Sequence, residues 1–337
     1  MKNEKQSLME ELKEKVKSNP KKIVFPEGED EKILKTTELI VKEKIGYPVV
    51  LGNEERIKKK ASELNVSLEG VKIVEPASSS QLDRYVNIYK KSSSISEGAA
   101  IRLLKRPIYY GAMMVKSGDV DGMVAGRVYE TSTVIMASEL VIGMQEGITT
   151  PSSFFVINIP DFEGGESGML IFADCAVNAD PNAEQLADIA IASANSAKVL
   201  LGWEPRVAML SFSTKGSSIE PPVEKVIKAT EIVKKKRPDI LVDGELQVDA
   251  AIIPEIAKRK IKGESPVAGK ANILIFPDLN SGNIGYKLTQ RLAKADAYGP
   301  LLQGFAKPVS DLSRGATIND ILGAFIMTSA QVKGRER

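Results

Sequence analysis

The chain has 337 residues, 43% of them hydrophobic, enough to build the cores of two domains, or of one large domain with a lobe. Lys and Arg number 46 against 44 Asp and Glu, a net charge of +2, which gives no case for a nucleic-acid or membrane surface and leaves any useful positive charge local. The lone cysteine, Cys175, excludes an intrachain disulfide and fits a reducing compartment, while the absence of histidine excludes His general acid–base chemistry, His–Asp triads and His metal sites.

The N-terminal run is charged throughout, and Leu8, Leu12 and Val16 fall at helical spacing, which predicts an amphipathic helix packed on the body. The run lacks the apolar core of a signal peptide, and no apolar stretch reaches the length of a membrane span, so a cytoplasmic soluble protein is expected. "KKIVFPEGED" reads as a strand, a Pro–Gly turn and an acidic helix start, with the helix running through "EKILKTTELIVKEK". "YPVVLGN", "EERIKKKASELN" and "VKIVEP" continue the alternation as strand, helix and strand. "GAMMVKSG" reads as helix and "DGMVAG" as a short strand; "TSTVIMASELVIGMQ" reads as a helix capped by Thr131 or Ser132. A Ser-, Pro- and Gly-rich stretch around a strand follows, and the domain crossing is expected near residue 148.

Beyond it come the strands "MLIFADCAV", "RVAMLSFS", "ILVDGEL" and "ANILIFPDL" and four helical segments, ending in "IGYKLTQRLAKA"; the last helix, "INDILGAFIMTSAQV", is free to return to the first domain. The expected fold class is α/β, with largely parallel sheets covered by helices and right-handed crossovers. Residues 1–147 with 310–337 form the first expected domain, and 148–309 the second.

The stretch "KPVSDLSRGATINDIL" has two readings. In one, Thr317 and Asp320 form only a capping box at the start of a helix. In the other, Ser313 and Arg314 hold an anion at the helix N-terminus, Gly315 allows close backbone approach, and Asp320 serves as a base. "IFPDLNSGNIGYK" offers a second strand-to-helix turn, where Asn280, Ser281 and Asn283 present donors, and "SFSTKGSS" a third. Three polar turns at the carboxyl ends of strands match where open sheets bind ligands, although none is a Walker loop or a dinucleotide fingerprint. Asp243, Glu245 and Asp249 invite a hard-metal site, but solvated or structural carboxylates are the better reading. Cys175, with no histidine to activate it, reads as a buried thiol.

"FPEGED", "FADCAV", "MLSFSTKGS", "DGELQVDAAI", "SPVAGKANILIFPDLNSGNIGYKLTQRLAKADAYGP" and "QGFAKPVSDLSRG" closely resemble the phosphate acetyltransferase (phosphotransacetylase) family, the phosphate acetyl/butyryl transferase group. The resemblance spans nearly the whole chain and is most specific from Met209 to Gly315. It implies two α/β domains of the isocitrate/isopropylmalate dehydrogenase-like type, with the active site in the interdomain cleft, and a homodimer. It implies interconversion of acetyl-CoA plus phosphate with acetyl phosphate plus CoA through a ternary complex, with acyl-CoA, phosphate and acyl phosphate as small-molecule partners. No metal or nicotinamide cofactor is implied.

By the same resemblance Asp320 deprotonates the CoA thiol, while Ser313 and Arg314 bind phosphate and stabilise charge on the transferred acyl group. Asn280, Ser281, Asn283, Lys287, Tyr298, Thr131 and Ser132 are the further phosphate- and substrate-binding candidates. The chain departs from the family in "GRVYETSTVIMASEL": Tyr129 stands at the usual His position and Met136 at the usual CoA-contacting Arg. A second such arginine is missing near "IYKKSSS". Arg127, Lys90 and Lys91 are the candidates to replace their charge, and Met136 suits a larger or more apolar acyl group. The alternatives are a phosphate propanoyl- or butyryltransferase, a metal- and NAD-dependent dehydrogenase of related fold, and a non-catalytic relative.

Overall fold

The computed structural model describes residues 8–332, so the first residues of the N-terminal charged run, 1–7, and the end of the chain, 333–337, lie outside it. In chain order the strands are β1 (Lys21–Phe25), β2 (Gly46–Leu51), β3 (Lys72–Val74), β4 (Gly122–Ala125), β5 (Ser152–Asn158), β6 (Met169–Ala173), β7 (Arg206–Leu210), β8 (Leu241–Leu246), β9 (Ile273–Ile275), β10 (Asp296–Gln303) and β11 (Val309–Asp311). The chain divides into two compact units: one runs up to Gly143 and resumes at Phe305, and the other is Met144–Gly304. Among the described residues no helix is long and apolar enough to cross a membrane.

In the first unit the strand order is β3-β2-β1-β4-β11, and every pairing is parallel. Strands covered on both faces read as continuous apolar runs, and Ile23, Val24 and Phe25 of β1 are fully buried. The chain leaves β1 outward to β2 and β3, then crosses back to β4 on β1's other side. The segments after β1 and β4 therefore meet where the strand order reverses, the place where open α/β sheets receive ligands.

The helix Glu31–Lys42 starts at Asp30, whose carboxylate accepts from the amides of Lys32 (2.9 Å) and Ile33 (3.0 Å). Ile318–Ala330, the last helix, packs on this sheet, with Phe325 stacked on Phe25 at 6.1 Å between ring centroids. Two strand glycines permit that approach: a Cβ at Gly46 would lie 2.6 Å from the Phe325 ring, and one at Gly122 would lie 2.8 Å from Thr328. The N-terminal helix Leu8–Ser18 buries Leu12 and Val16, and packs on the last helix.

In the second unit the order is β10-β5-β6-β9-β7-β8. β10, β5 and β6 are antiparallel neighbours, and the remaining pairs are parallel. The helix Ala183–Ser196 opens with an Asn182–Gln185 capping box.

Several elements differ from the sequence expectation. The helices Leu82–Lys91 and Glu97–Leu104 and the strands β10 and β11 were not anticipated. The segment 249–260 breaks into two helices at Pro254, whose ring cannot continue the first. Thr131 and Ser132 do not cap their helix: the N-cap is Glu130, and Thr131 is already helical. The helix expected from Ile284 begins at Leu279, capped by Asp278, so Asn280, Ser281 and Asn283 lie inside its first turns and not in a loop.

Candidate active site

The site is built at the carboxyl ends of β1, β4 and β11. After β1 comes Glu27, a carboxylate only 7% exposed. It accepts four backbone amides from the segment after β4: Gly126 at 3.1 Å, Arg127 at 3.0 Å, Val128 at 2.7 Å and Tyr129 at 2.8 Å. Successive amides converging on one point form an anion nest, and here the chain's own carboxylate fills it. The nest fixes the path of residues 126–131 and so places Glu130 and Thr131.

Those two residues reach the last residue of β11 and the segment after it. The Thr131 hydroxyl donates to Asp311 Oδ2 at 2.5 Å. The Arg314 Nη2 donates to Glu130 Oε1 at 3.1 Å, with both side chains about two-thirds exposed, so the ion pair is weak and displaceable. Ser313, Arg314 and Gly315 are exposed, and the Ser313 Oγ accepts from the Gly315 amide at 3.2 Å.

Next in sequence, Thr317 and Asp320 form a complete capping box. The Thr317 amide and hydroxyl both donate to Asp320 Oδ2 at 2.8 Å, and the Asp320 amide donates to Thr317 Oγ1 at 3.2 Å. Both carboxylate bonds fall on Oδ2, so the exposed Asp320 caps its helix and still presents Oδ1. The two sequence readings of this motif are thus compatible in one geometry. The structure brings Ser313, Arg314 and Thr131 together around β11, with Asp320 one short turn farther along the chain.

The candidates for gripping CoA are less available. Arg127 donates to Asp30 Oδ2 at 3.3 Å, and its Nε and Nη1 are buried without partners. Lys90 is paired with Glu97 at 2.7 Å, while Lys91 is exposed. Met136 is 50% exposed, and its sulfur accepts from the Tyr109 hydroxyl at 3.7 Å. Beside Tyr129, a cleft of about 510 Å³ is lined by Glu29, Asp30, Glu31, Leu51, Lys60 and Pro107, among others. Of its carboxylates, Asp30 is paired with Arg127 and Glu31 with Lys35.

In the second unit, Ser281 is committed to its own cap: its amide donates to Asp278 Oδ1 and its hydroxyl to the Asp278 carbonyl, both at 2.8 Å. Asn283 Nδ2 donates to the Cys175 carbonyl at 3.1 Å. Asn280 is exposed, and the Lys287 ammonium lies 5.8 Å from the Tyr286 ring centroid. Tyr298 is half-buried on β10, and burial raises its phenol. The "SFSTKGSS" turn holds no external anion through the donors expected there: the Ser213 hydroxyl and Gly216 amide donate to the buried Glu245 at 3.0 and 2.7 Å.

Of the three carboxylates considered for a metal, Asp243 is held by Lys215 and Ser265, Glu245 fills this turn, and Asp249 pairs with Lys260. Among the described residues no group of three or more Cys, Asp or Glu is placed to hold a metal ion. Cys175 is buried, with its thiol pushed well above the usual range by desolvation and by Asp174.

A family model described as "Phosphate acetyl/butaryl transferase" matches residues 7–329. The chain belongs to this family of transferases. It is 48% identical to the phosphate acetyltransferase of Thermoanaerobacterium thermosaccharolyticum over 97% of this chain and all of that one. The EutD phosphotransacetylase from Staphylococcus aureus matches it with a TM-score of 0.88 and 37% identity, covering 97% of this chain and 98% of that one. A 4-hydroxythreonine-4-phosphate dehydrogenase from Klebsiella pneumoniae shares the fold, at a TM-score of 0.56 and 11% identity over 93% of this chain and 98% of that one. That identity carries architecture and not activity, so the dehydrogenase alternative has only the fold behind it. Asp311, Glu130 and Glu27 lie outside the sequence reading; the one legible signal is a carboxylate directly before "LSRG".

Proposed function

We propose that the chain is a phosphate acetyltransferase that moves an acetyl group between CoA and inorganic phosphate within a ternary complex. The observation that carries this reading is Ser313, Arg314 and Asp320 held exposed on one loop-to-helix corner, in a chain of this family. Phosphate displaces Glu130 from Arg314, whose planar fork matches two phosphate oxygens. Asp320 Oδ1 takes the CoA thiol proton, and the sulfur pair forms the bond to the acyl carbon of acetyl phosphate. The carbonyl oxygen becomes an oxyanion held by Arg314 and the Ser313 hydroxyl. Collapse breaks the carbon–oxygen bond, and phosphate leaves with that electron pair. Loss of one such oxyanion donor costs on the order of a hundredfold or more in rate. Thr131, Ser132, Asn280, Asn283, Lys287 and Tyr298 remain the substrate-side candidates, with CoA and acyl phosphate as the only small molecules required.

Met136, half-exposed where the resemblance places a CoA-contacting arginine, favours a second reading with propanoyl- or butanoyl-CoA as substrate. Phosphate-dependent release of CoA from a panel of acyl-CoAs decides between them. Fastest release from acetyl-CoA is expected; acetyl-CoA as the slowest of the panel overturns the acetyl reading, and no release from any overturns both.

The reading includes a cytoplasmic homodimer. A single buried cysteine fits a reducing compartment. A second copy is the partner the family resemblance implies, and Ile284, Leu288 and Leu292 offer it an apolar stripe, exposed by 57%, 52% and 79% on one face of the helix Leu279–Leu292. Light scattering on Leu288→Glu tests this: a monomer is expected, and an unchanged dimer removes the stripe from the interface.

A further inference from the structure

Asp311 ends β11 with its carboxylate buried, 7% exposed, and directly behind an exposed threonine. Its Oδ2 accepts the Thr131 hydroxyl, while Oδ1 is buried with no hydrogen-bond partner. Gly126 lies against that second oxygen: a Cβ there would stand 2.4 Å from Asp311 Oδ1. One carboxylate oxygen is thus spent on a substrate-side hydroxyl and the other is sealed against the backbone. A buried carboxylate left half-satisfied is costly, and such exceptions call for a role.

A hydroxyl has one proton. While Asp311 is ionised, that proton is committed inward and Thr131 Oγ1 shows only lone pairs to the outside. When Asp311 carries a proton, its own O–H donates to Thr131 Oγ1, and the threonine proton is free to point at an anion. We propose that Asp311 is a positioning residue that sets whether the Thr131 hydroxyl donates or accepts at the substrate face, and that anion binding there draws a proton onto Asp311. This rests on the reading of Thr131 as a contact to the phosphoryl group. No bond to substrate is made or broken by Asp311; the proton comes from solvent and returns to it.

The charges around Asp311 permit this. Burial, and secondarily the Glu27 carboxylate just after β1, raise its pKa to about 6, against the lowering effects of Thr131 and of the Leu312 backbone. Arg127, after β4, is turned to Asp30, Arg314, after β11, to Glu130, and the Lys32 ammonium to the Ala316 carbonyl.

The test uses the whole enzyme and acetyl phosphate, which stays a dianion from about pH 6 to about pH 8, with KM and kcat followed separately. Wild-type KM is expected to rise with pH above about 6, as the protonated form is lost. Asp311→Asn, which cannot titrate at this position, is expected to hold a pH-independent KM with kcat changed less than about threefold. A pH-dependent KM retained in that variant overturns the proposal. Thr131→Val separates the two readings. A KM unchanged at every pH means that Thr131 does not touch substrate, and the contact itself fails. A raised KM beside a pH-dependent KM retained in Asp311→Asn sinks only the switch. Should the asparagine variant fold poorly, calorimetry of wild-type enzyme with acetyl phosphate alone, in buffers of different ionisation heat, gives a second reading: fractional proton uptake near neutral pH supports the proposal, and none contradicts it.

Discussion

Arg314 and Glu130, 184 residues apart in sequence, meet at 3.1 Å in front of the helix that Asp320 caps. The arginine proposed to receive an anion thus already has one nitrogen on a carboxylate.

Removing that competitor is expected to tighten phosphate binding. Glu130→Gln should lower the phosphate KM by about threefold with little change in melting temperature, since an exposed pair adds little stability. Steady-state kinetics checks this; a raised KM would show that Glu130 aims Arg314 and does not compete for it.

Arg314→Lys is expected to behave as a severe substitution despite its retained charge. A compact ammonium loses the two-point grip on phosphate and oxyanion, so kcat/KM should fall on the order of a hundredfold. Activity within about threefold of wild type would take Arg314 out of the mechanism.

Glu27 should matter for stability more than any surface carboxylate. Glu27→Ala leaves the amides of Gly126, Arg127, Val128 and Tyr129 without their acceptor inside the protein, and each orphaned buried amide costs roughly 1–3 kcal/mol. Urea denaturation should show a loss of at least about 3 kcal/mol. A loss below about 1 kcal/mol would mean that the nest finds other acceptors.

Much of this was legible beforehand. The apolar runs of β1, β4 and β7 mark buried parallel strands because both faces are covered, and the Thr317–Asp320 spacing marks its capping box because both partners lie within one turn. The contacts that organise the site were not legible. Glu27 meets its amides about 100 residues along the chain, and Thr131 meets Asp311 180 residues along. Thr131 reads as a cap in isolation because a hydroxyl before a helical run normally bonds its own turn; a distant carboxylate captures it instead. The start of the helix Leu279–Leu292 is hard to read for the opposite reason: Asp278 with the Ser281 amide is a local cap signal, masked by the polar look of "NSGN".

The pH dependence of stability follows from Asp311. Its folded pKa, about 6, stands above the ordinary carboxylate value of 3.8. Between these values the native state binds more protons than the unfolded one, so this group lowers stability as pH rises through that window. Asp311→Asn is therefore expected to raise the melting temperature at neutral pH, by the equivalent of about 3 kcal/mol, and to change it little near pH 4. Thermal melts at both pH values check the sign.

The acyltransfer account depends most on Asp320, whose carboxylate has a helix to cap as well as a proton to take. Asp320→Asn keeps an oxygen for the Thr317 amide and hydroxyl but abolishes the base, so single-turnover acylation of CoA by acetyl phosphate isolates the chemical role. The account predicts a rate at least about a hundredfold slower with an unchanged melting temperature. A variant that acylates CoA as fast as wild type would contradict it.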